Sequence, residues 1–226
     1  MAENILAQGI YLYRQKSYTD ALTFFLGLPS DNGADKNEIA YYLGLCYTKL
    51  ERYDDALLYL EQVVTSGTHL ERTLQCRFLL AVIYALSGRR RLADFELNKL
   101  LETGYMTPSV YAAIAFVAWE QKDTEKCLSY YEKSLKENPA NLTSLNGLGY
   151  VLACEDKDLT RALSLCKQAV NNAPDSAACL DSLGWVYYKL GLYDDSRKYL
   201  EQAELLDRDN EIILEHIRLL NKAGRQ

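Results

Sequence analysis

Leu183-Gly184-Trp185-Val186-Tyr187 decides how this chain folds, because weaker copies of it return at a steady interval. Leu43-Gly44-Leu45-Cys46-Tyr47, Leu80-Ala81-Val82-Ile83-Tyr84 and Leu148-Gly149-Tyr150-Val151-Leu152 hold the same places, spaced by roughly 34 residues or a multiple of it. A period of that length marks stacked copies of one small unit. Each copy buries its apolar side on its neighbours rather than around one closed core. Such a stack has a long surface for holding partners and rarely a pocket for chemistry.

With the Leu-Gly pair as register mark, six units are laid down, at about 2–35, 37–70, 74–107, 108–141, 142–176 and 177–210. Each opens with a helical pattern of about fourteen residues, turns through a short polar stretch and continues in a second helical pattern. The turns fall at Gln15-Lys16-Ser17, Glu51-Arg52, Ser87-Gly88-Arg89, Gln121-Lys122-Asp123, Cys154 to Asp158, and Leu190-Gly191. Gly88 and Gly191 suit the left-handed backbone that ends a helix. Pro139 and Pro174 stop second helices, since proline lacks a backbone donor and disfavours helix in the residue before it.

Two sets of small residues let the paired helices approach. The first helices carry Gly9, Gly44, Ala81, Ala115, Gly149 and Gly184; the second carry Ala21, Ala56, Ala93, Cys127, Ala162 and Ser196. Four residues after the small site of the second helix, on the same helical face, stand the larger fillers Phe25, Leu60, Leu97, Tyr131 and Leu200. A chance amphipathic array would scatter Leu and Lys among the small sites.

These units resemble the tetratricopeptide repeat, whose pattern is Leu-Gly, then Tyr, then Ala, an aromatic and Pro. The last unit shows it best, with Leu183, Gly184, Tyr187, Gly191, Tyr193 and Ala203; the second has Leu43, Gly44, Tyr47, Tyr53 and Ala56. The fourth departs most: Ile114-Ala115 replaces Leu-Gly and Ala118 replaces Tyr. The family's early Trp is absent, with Leu180 in its place in the last unit and Arg77 in the third. The fifth unit has an extra turn residue before Arg161-Ala162. The resemblance implies an all-α fold: a right-handed α-solenoid of six helix-turn-helix units along a single domain, closed by a capping helix at about 210–222. That helix is readable in its own right. Asp209 and Asn210 can cap it, and Ile213, Ile217 and Leu220 form one stripe.

In that family the first helices line an inner, concave surface. Carried onto this register, the partner-binding groove comprises Ile10, Tyr13, Tyr41, Leu45, Phe78, Val82, Phe116, Trp119, Asn146, Tyr150, Asp181, Trp185 and Tyr188. Both tryptophans are in it, and aromatic residues give much contact area for little lost rotamer freedom. Asn146 and Asp181, equivalent in successive units, read either as hydrogen-bonding groups for an extended peptide or as solvated polar residues. A subgroup of the family grips a terminal carboxylate with Lys, Arg and Asn. The matching places here carry mainly Leu, Tyr, Phe, Ala and Asp, so that clamp is missing.

Composition narrows the function class. The chain has 226 residues, 49% of them apolar, and a net charge of −6, which disfavours nucleic-acid binding because phosphates need a basic face. No apolar run approaches the ~20 residues that span a bilayer, and the first residues lack the basic start and apolar centre of a secretory signal. Six scattered cysteines without a Cys-x-x-Cys pair read as buried free thiols of a reducing compartment. Two distant histidines give no metal set and no catalytic grouping. Arg89-Arg90-Arg91 reads as a solvated turn. The expectation is a non-enzyme without cofactors: a cytoplasmic interaction scaffold or adaptor holding an apolar peptide or helix of another protein, with some positive charge. The alternatives are self-association through the groove or the first unit, and an accessory subunit of a bacterial envelope protease or assembly complex. The last rests on a likeness of the fifth and sixth units to bacterial adaptors and would require export to the periplasm.

Overall fold

The computed structural model describes residues 5–29 and 33–223, and among these it contains thirteen helices and no strand. The helices are α1 (Ala7–Arg14), α2 (Tyr18–Leu26), α3 (Lys36–Lys49), α4 (Tyr53–Ser66), α5 (Leu70–Leu86), α6 (Arg90–Thr103), α7 (Pro108–Glu120), α8 (Thr124–Glu137), α9 (Leu142–Cys154), α10 (Leu159–Asn172), α11 (Ala177–Lys189), α12 (Tyr193–Leu206) and α13 (Glu211–Ala223). The chain divides into two compact units, Met1–Met106 and Thr107–Gln226. The first holds α1–α6 and the second α7–α13.

Local chemistry sets the boundaries. Asp35, Thr107, Asn141 and Ser176 cap α3, α7, α9 and α11, their side chains accepting from backbone N–H groups two or three residues on. Gly67 and Gly104 close α4 and α6 in the left-handed conformation, at φ 59° and 72°. Each turn inside a repeat also has a left-handed residue: Lys16, Glu51, Gly88, Lys122, Asp156 and Gly191. Only two of the six are glycine, so the turn geometry is imposed on Lys, Glu and Asp by the helices it joins. The extra residue of the fifth turn is absorbed by a second left-handed residue, Asp158 (φ 36°), which caps α10 by accepting from the Arg161 N–H.

Helix pairs close on the small residues. A methyl added to Gly44 would lie 2.7 Å from Leu60, and one added to Gly184 would lie 2.7 Å from Leu200. The fillers Phe25, Leu60, Leu97, Tyr131 and Leu200 are all buried, each worth about 1.5–3 kcal/mol of apolar transfer. In the fifth repeat the same place is taken by Cys166, packed against Gly149. Tyr47, Tyr84 and Tyr187 belong to the core.

Within the first unit, α5 is tied to its neighbours by polar pairs. Arg77, at the place of the family's Trp, donates to Glu96 on α6 at 2.6 Å. Arg72 reaches Glu38 at 2.7 Å, and the Tyr84 hydroxyl donates to Glu61. Within the second unit, α13 lies against α11 and α12, and Asn210 caps its start by accepting from the Ile212 and Ile213 N–H groups.

Candidate functional site

The second unit contains an open cleft of about 440 Å³. Phe116, Trp119 and Glu120 of α7, Leu142, Asn146 and Tyr150 of α9, and Asp181 of α11 form one side. Asn210, Ile212 and Ile213, at the start of α13, form another. First helices supply these side chains because α7, α9 and α11 pack side by side, while α8, α10 and α12 back them. Ile212, 56% exposed, presents an apolar side chain to the cleft. Trp119 is partly buried against the core, with Lys122 Nζ 5.6 Å from its ring.

Of the sequence-derived groove, Phe116, Trp119, Asn146, Tyr150 and Asp181 meet in this one cleft. Trp185 and Asp181 differ from expectation because α13 reaches over them. His216 stacks on Trp185 with ring centroids 4.2 Å apart, and its Nδ1 donates to Asp181 Oδ1 at 2.8 Å. Both side chains of that pair are 7% exposed, so Asp181 is not a solvated polar residue. Tyr188 also stacks on Trp185, with ring centroids 4.9 Å apart.

The remaining predicted residues belong to the first unit. Tyr13 packs edge-on to Tyr42 and beside Tyr18. Tyr41 donates to Gln75 Oε1 at 2.6 Å, under the Arg72 guanidinium. Ile10, Phe78 and Val82 are half-buried. Leu45 is buried at 5% exposure and belongs to the core rather than to an inner surface.

Electrostatically the cleft is acidic, with Glu120 and Asp181 in its wall and Asp181 turned toward His216. Burial pushes the Tyr150 hydroxyl above its usual range, and the neighbouring Cys154, Asp181 and Glu120 push the same way. Burial also raises the Cys154 thiol, against the opposing pull of the neighbouring Tyr150 hydroxyl and the nearby Lys189. All six cysteines are free, and five are buried. Among the described residues no three His, Cys, Asp or Glu side chains cluster as a metal set, and no helix is long and apolar enough to cross a membrane.

Sequence reading missed Gly147, Glu120, Ile212 and His216. Gly147 lines the cleft because its α-carbon faces the Tyr131 ring with no room for a side chain. His216 left a signal: it lies three residues after Ile213 and four before Leu220, a polar side chain within the buried stripe of α13.

Three profiles of the tetratricopeptide repeat match the sequence, over residues 6–70, 108–141 and 139–208. The chain belongs to the tetratricopeptide repeat family. Solved structures of other tetratricopeptide-repeat proteins share the fold. One from Parabacteroides merdae is 15% identical, with a TM-score of 0.69 over 96% of this chain and 82% of its own. Cut9, in the hetero-tetramer of the APC/C with Hcn1, is similar with a TM-score of 0.78 at 13% identity; the match covers 96% of this chain but 42% of that one. YrrB, described as a tetratricopeptide-repeat protein with an unusual peptide-binding site, gives 0.52 at 15% identity over 89% of this chain and 98% of its own. At these identities the likeness is one of fold. No curated protein matched in sequence. Within the tetratricopeptide repeats of this chain, the aromatic cleft of the second unit is distinguished by the helix that walls it.

Proposed function

We propose that this protein is a non-catalytic interaction scaffold whose second unit holds an apolar segment of another protein, with basic residues flanking it. The observation that carries this is the convergence of Phe116, Trp119, Asn146 and Tyr150, from two successive repeats, on one open cleft beside the exposed Ile212. Rings on rigid helices contribute contact area at little entropic cost, and such residues dominate binding energies. Glu120 in the wall and the net charge of −6 favour a partner with positive charge. YrrB, of similar fold, is described as having a peptide-binding site, which supports a peptide-like partner.

The test is site-specific photo-crosslinking from Thr143, an exposed residue on the cleft wall. A benzophenone side chain placed there should capture an apolar, basic segment of a different protein, identified by mass spectrometry of the linked peptide. The same capture should fail when Trp119→Ala is added, with helicity unchanged. Cross-links solely to a second copy of this chain would replace the reading with self-association. Cross-links indifferent to Trp119→Ala would remove the cleft from it.

A further inference from the structure

The second unit already shows how its first helices hold a side chain. His216 of α13 inserts between two rings, 4.2 Å from the Trp185 centroid and 6.0 Å from that of Tyr150. Its Nδ1–H donates to Asp181, one turn before Trp185 on α11. The seat is thus an acceptor and a ring from one repeat plus a ring from the repeat before.

One repeat earlier the same three places are Asn146, Tyr150 and Phe116, and all three line the open cleft. Asn146 takes the position of Asp181, Tyr150 that of Trp185 and Phe116 that of Tyr150. Asn146 Oδ1 is buried and has no hydrogen-bond partner among the described residues. A buried acceptor without a donor costs about 1–3 kcal/mol, and the soft terminal torsion of the carboxamide lets it turn toward an incoming N–H.

We propose that the partner is a helical segment that runs beside α13 and places a planar side chain bearing an N–H (imidazole, carboxamide, indole or guanidinium) on Asn146, between Phe116 and Tyr150. α13 is the internal template for that segment. The partner's apolar face packs on Ile212 and Trp119, and its basic residues meet Glu120. This rests on the cleft being the partner site, and it adds which side chain the cleft selects.

The probe is a fluorescent synthetic peptide with the sequence of residues 209–223, titrated by anisotropy onto the full chain. A second peptide carries His216→Leu, which keeps the apolar stripe and removes the N–H. The wild-type chain should bind the first peptide at least tenfold more tightly than the second. Asn146→Leu in the chain should bring the two affinities together, whereas Asp181→Asn should leave the preference intact. Equal affinity of the two peptides for the wild-type chain, or binding of neither, overturns the proposal. A preference that survives Asn146→Leu and vanishes with Asp181→Asn also overturns it, since the peptide is then displacing the chain's own α13. Trp119→Ala separates the two readings: Trp119-dependent binding without preference for the imidazole leaves the cleft as partner site and removes this inference alone.

Discussion

His216 Nδ1 lies 2.8 Å from Asp181 Oδ1, joining two residues 35 apart in the sequence and fastening α13 across the first helix of the last repeat. The capping helix is therefore more than a cover for the end of a stack. By crossing Tyr150 and Trp185 it turns an inner face into a two-sided cleft.

His216→Ala leaves the buried Asp181 carboxylate without its donor and should cost about 2–3 kcal/mol in urea unfolding. Hydrogen exchange should rise in α13 more than in α9 or α10. With Asp181→Ala in the same chain, the combined loss should fall short of the sum of the single losses by more than about 0.5 kcal/mol. Additive losses would mean that the two side chains do not act together.

Gly149→Ala tests the close approach of α9 and α10. The new methyl would lie 2.5 Å from Cys166 Sγ and 3.1 Å from the Ala162 carbonyl, which is backbone and cannot turn aside. The overpacking should cost about 1–3 kcal/mol, exceeding the helix-propensity gain of about 1 kcal/mol. An unfolding midpoint equal to or above that of the wild type would show that the helices separate freely there.

Ser134→Ala removes a hydroxyl that donates to the Pro108 carbonyl and accepts from Ser144, both at under 3 Å. The buried Ser144 hydroxyl and the carbonyl of half-buried Pro108 each lose a partner, so the loss should be about 1–3 kcal/mol. Adding Ser144→Ala should recover part of it, because the orphaned hydroxyl goes too. Thermal unfolding of the three variants reads this directly.

Alkaline stability follows from burial. It raises the Cys46 thiol from 9.0 to about 11 and the Cys76 thiol to about 12, and the Tyr13 and Tyr41 hydroxyls from 10.0 to about 12. The unfolded chain releases these protons first. Their contribution is thus whole below pH 9 and declines as pH rises toward about 12. The urea midpoint should drop steadily over that range, with thiol alkylation slow below it. A midpoint that is flat or rising above pH 9 would contradict this burial.

Much of this was legible in the sequence because repeat packing is local. Gly44 and Gly184 mark where Leu60 and Leu200 press in, and one register places all four. Phe116, Trp119, Asn146 and Tyr150 could be assigned to one surface because the side-by-side order of α7 and α9 repeats with the pattern. What the repeat does not encode was not legible. The docking angle of α13 decides that His216, rather than Ile217, reaches Asp181. Periodicity gives a helix's apolar stripe but not its rotation on a neighbour. Leu45 is a further case: the register places it after the small Gly44 but does not give its depth, and it is buried.

The role of the second unit's cleft is tested most directly by the Kd of the segment captured from Thr143, measured by titration calorimetry against wild type, Trp119→Ala and the exposed first-unit control Tyr11→Ala. Trp119→Ala should weaken binding at least tenfold, about 1.4 kcal/mol, while Tyr11→Ala leaves it unchanged. Equal affinity for wild type and Trp119→Ala would contradict the assignment of the cleft as the partner site.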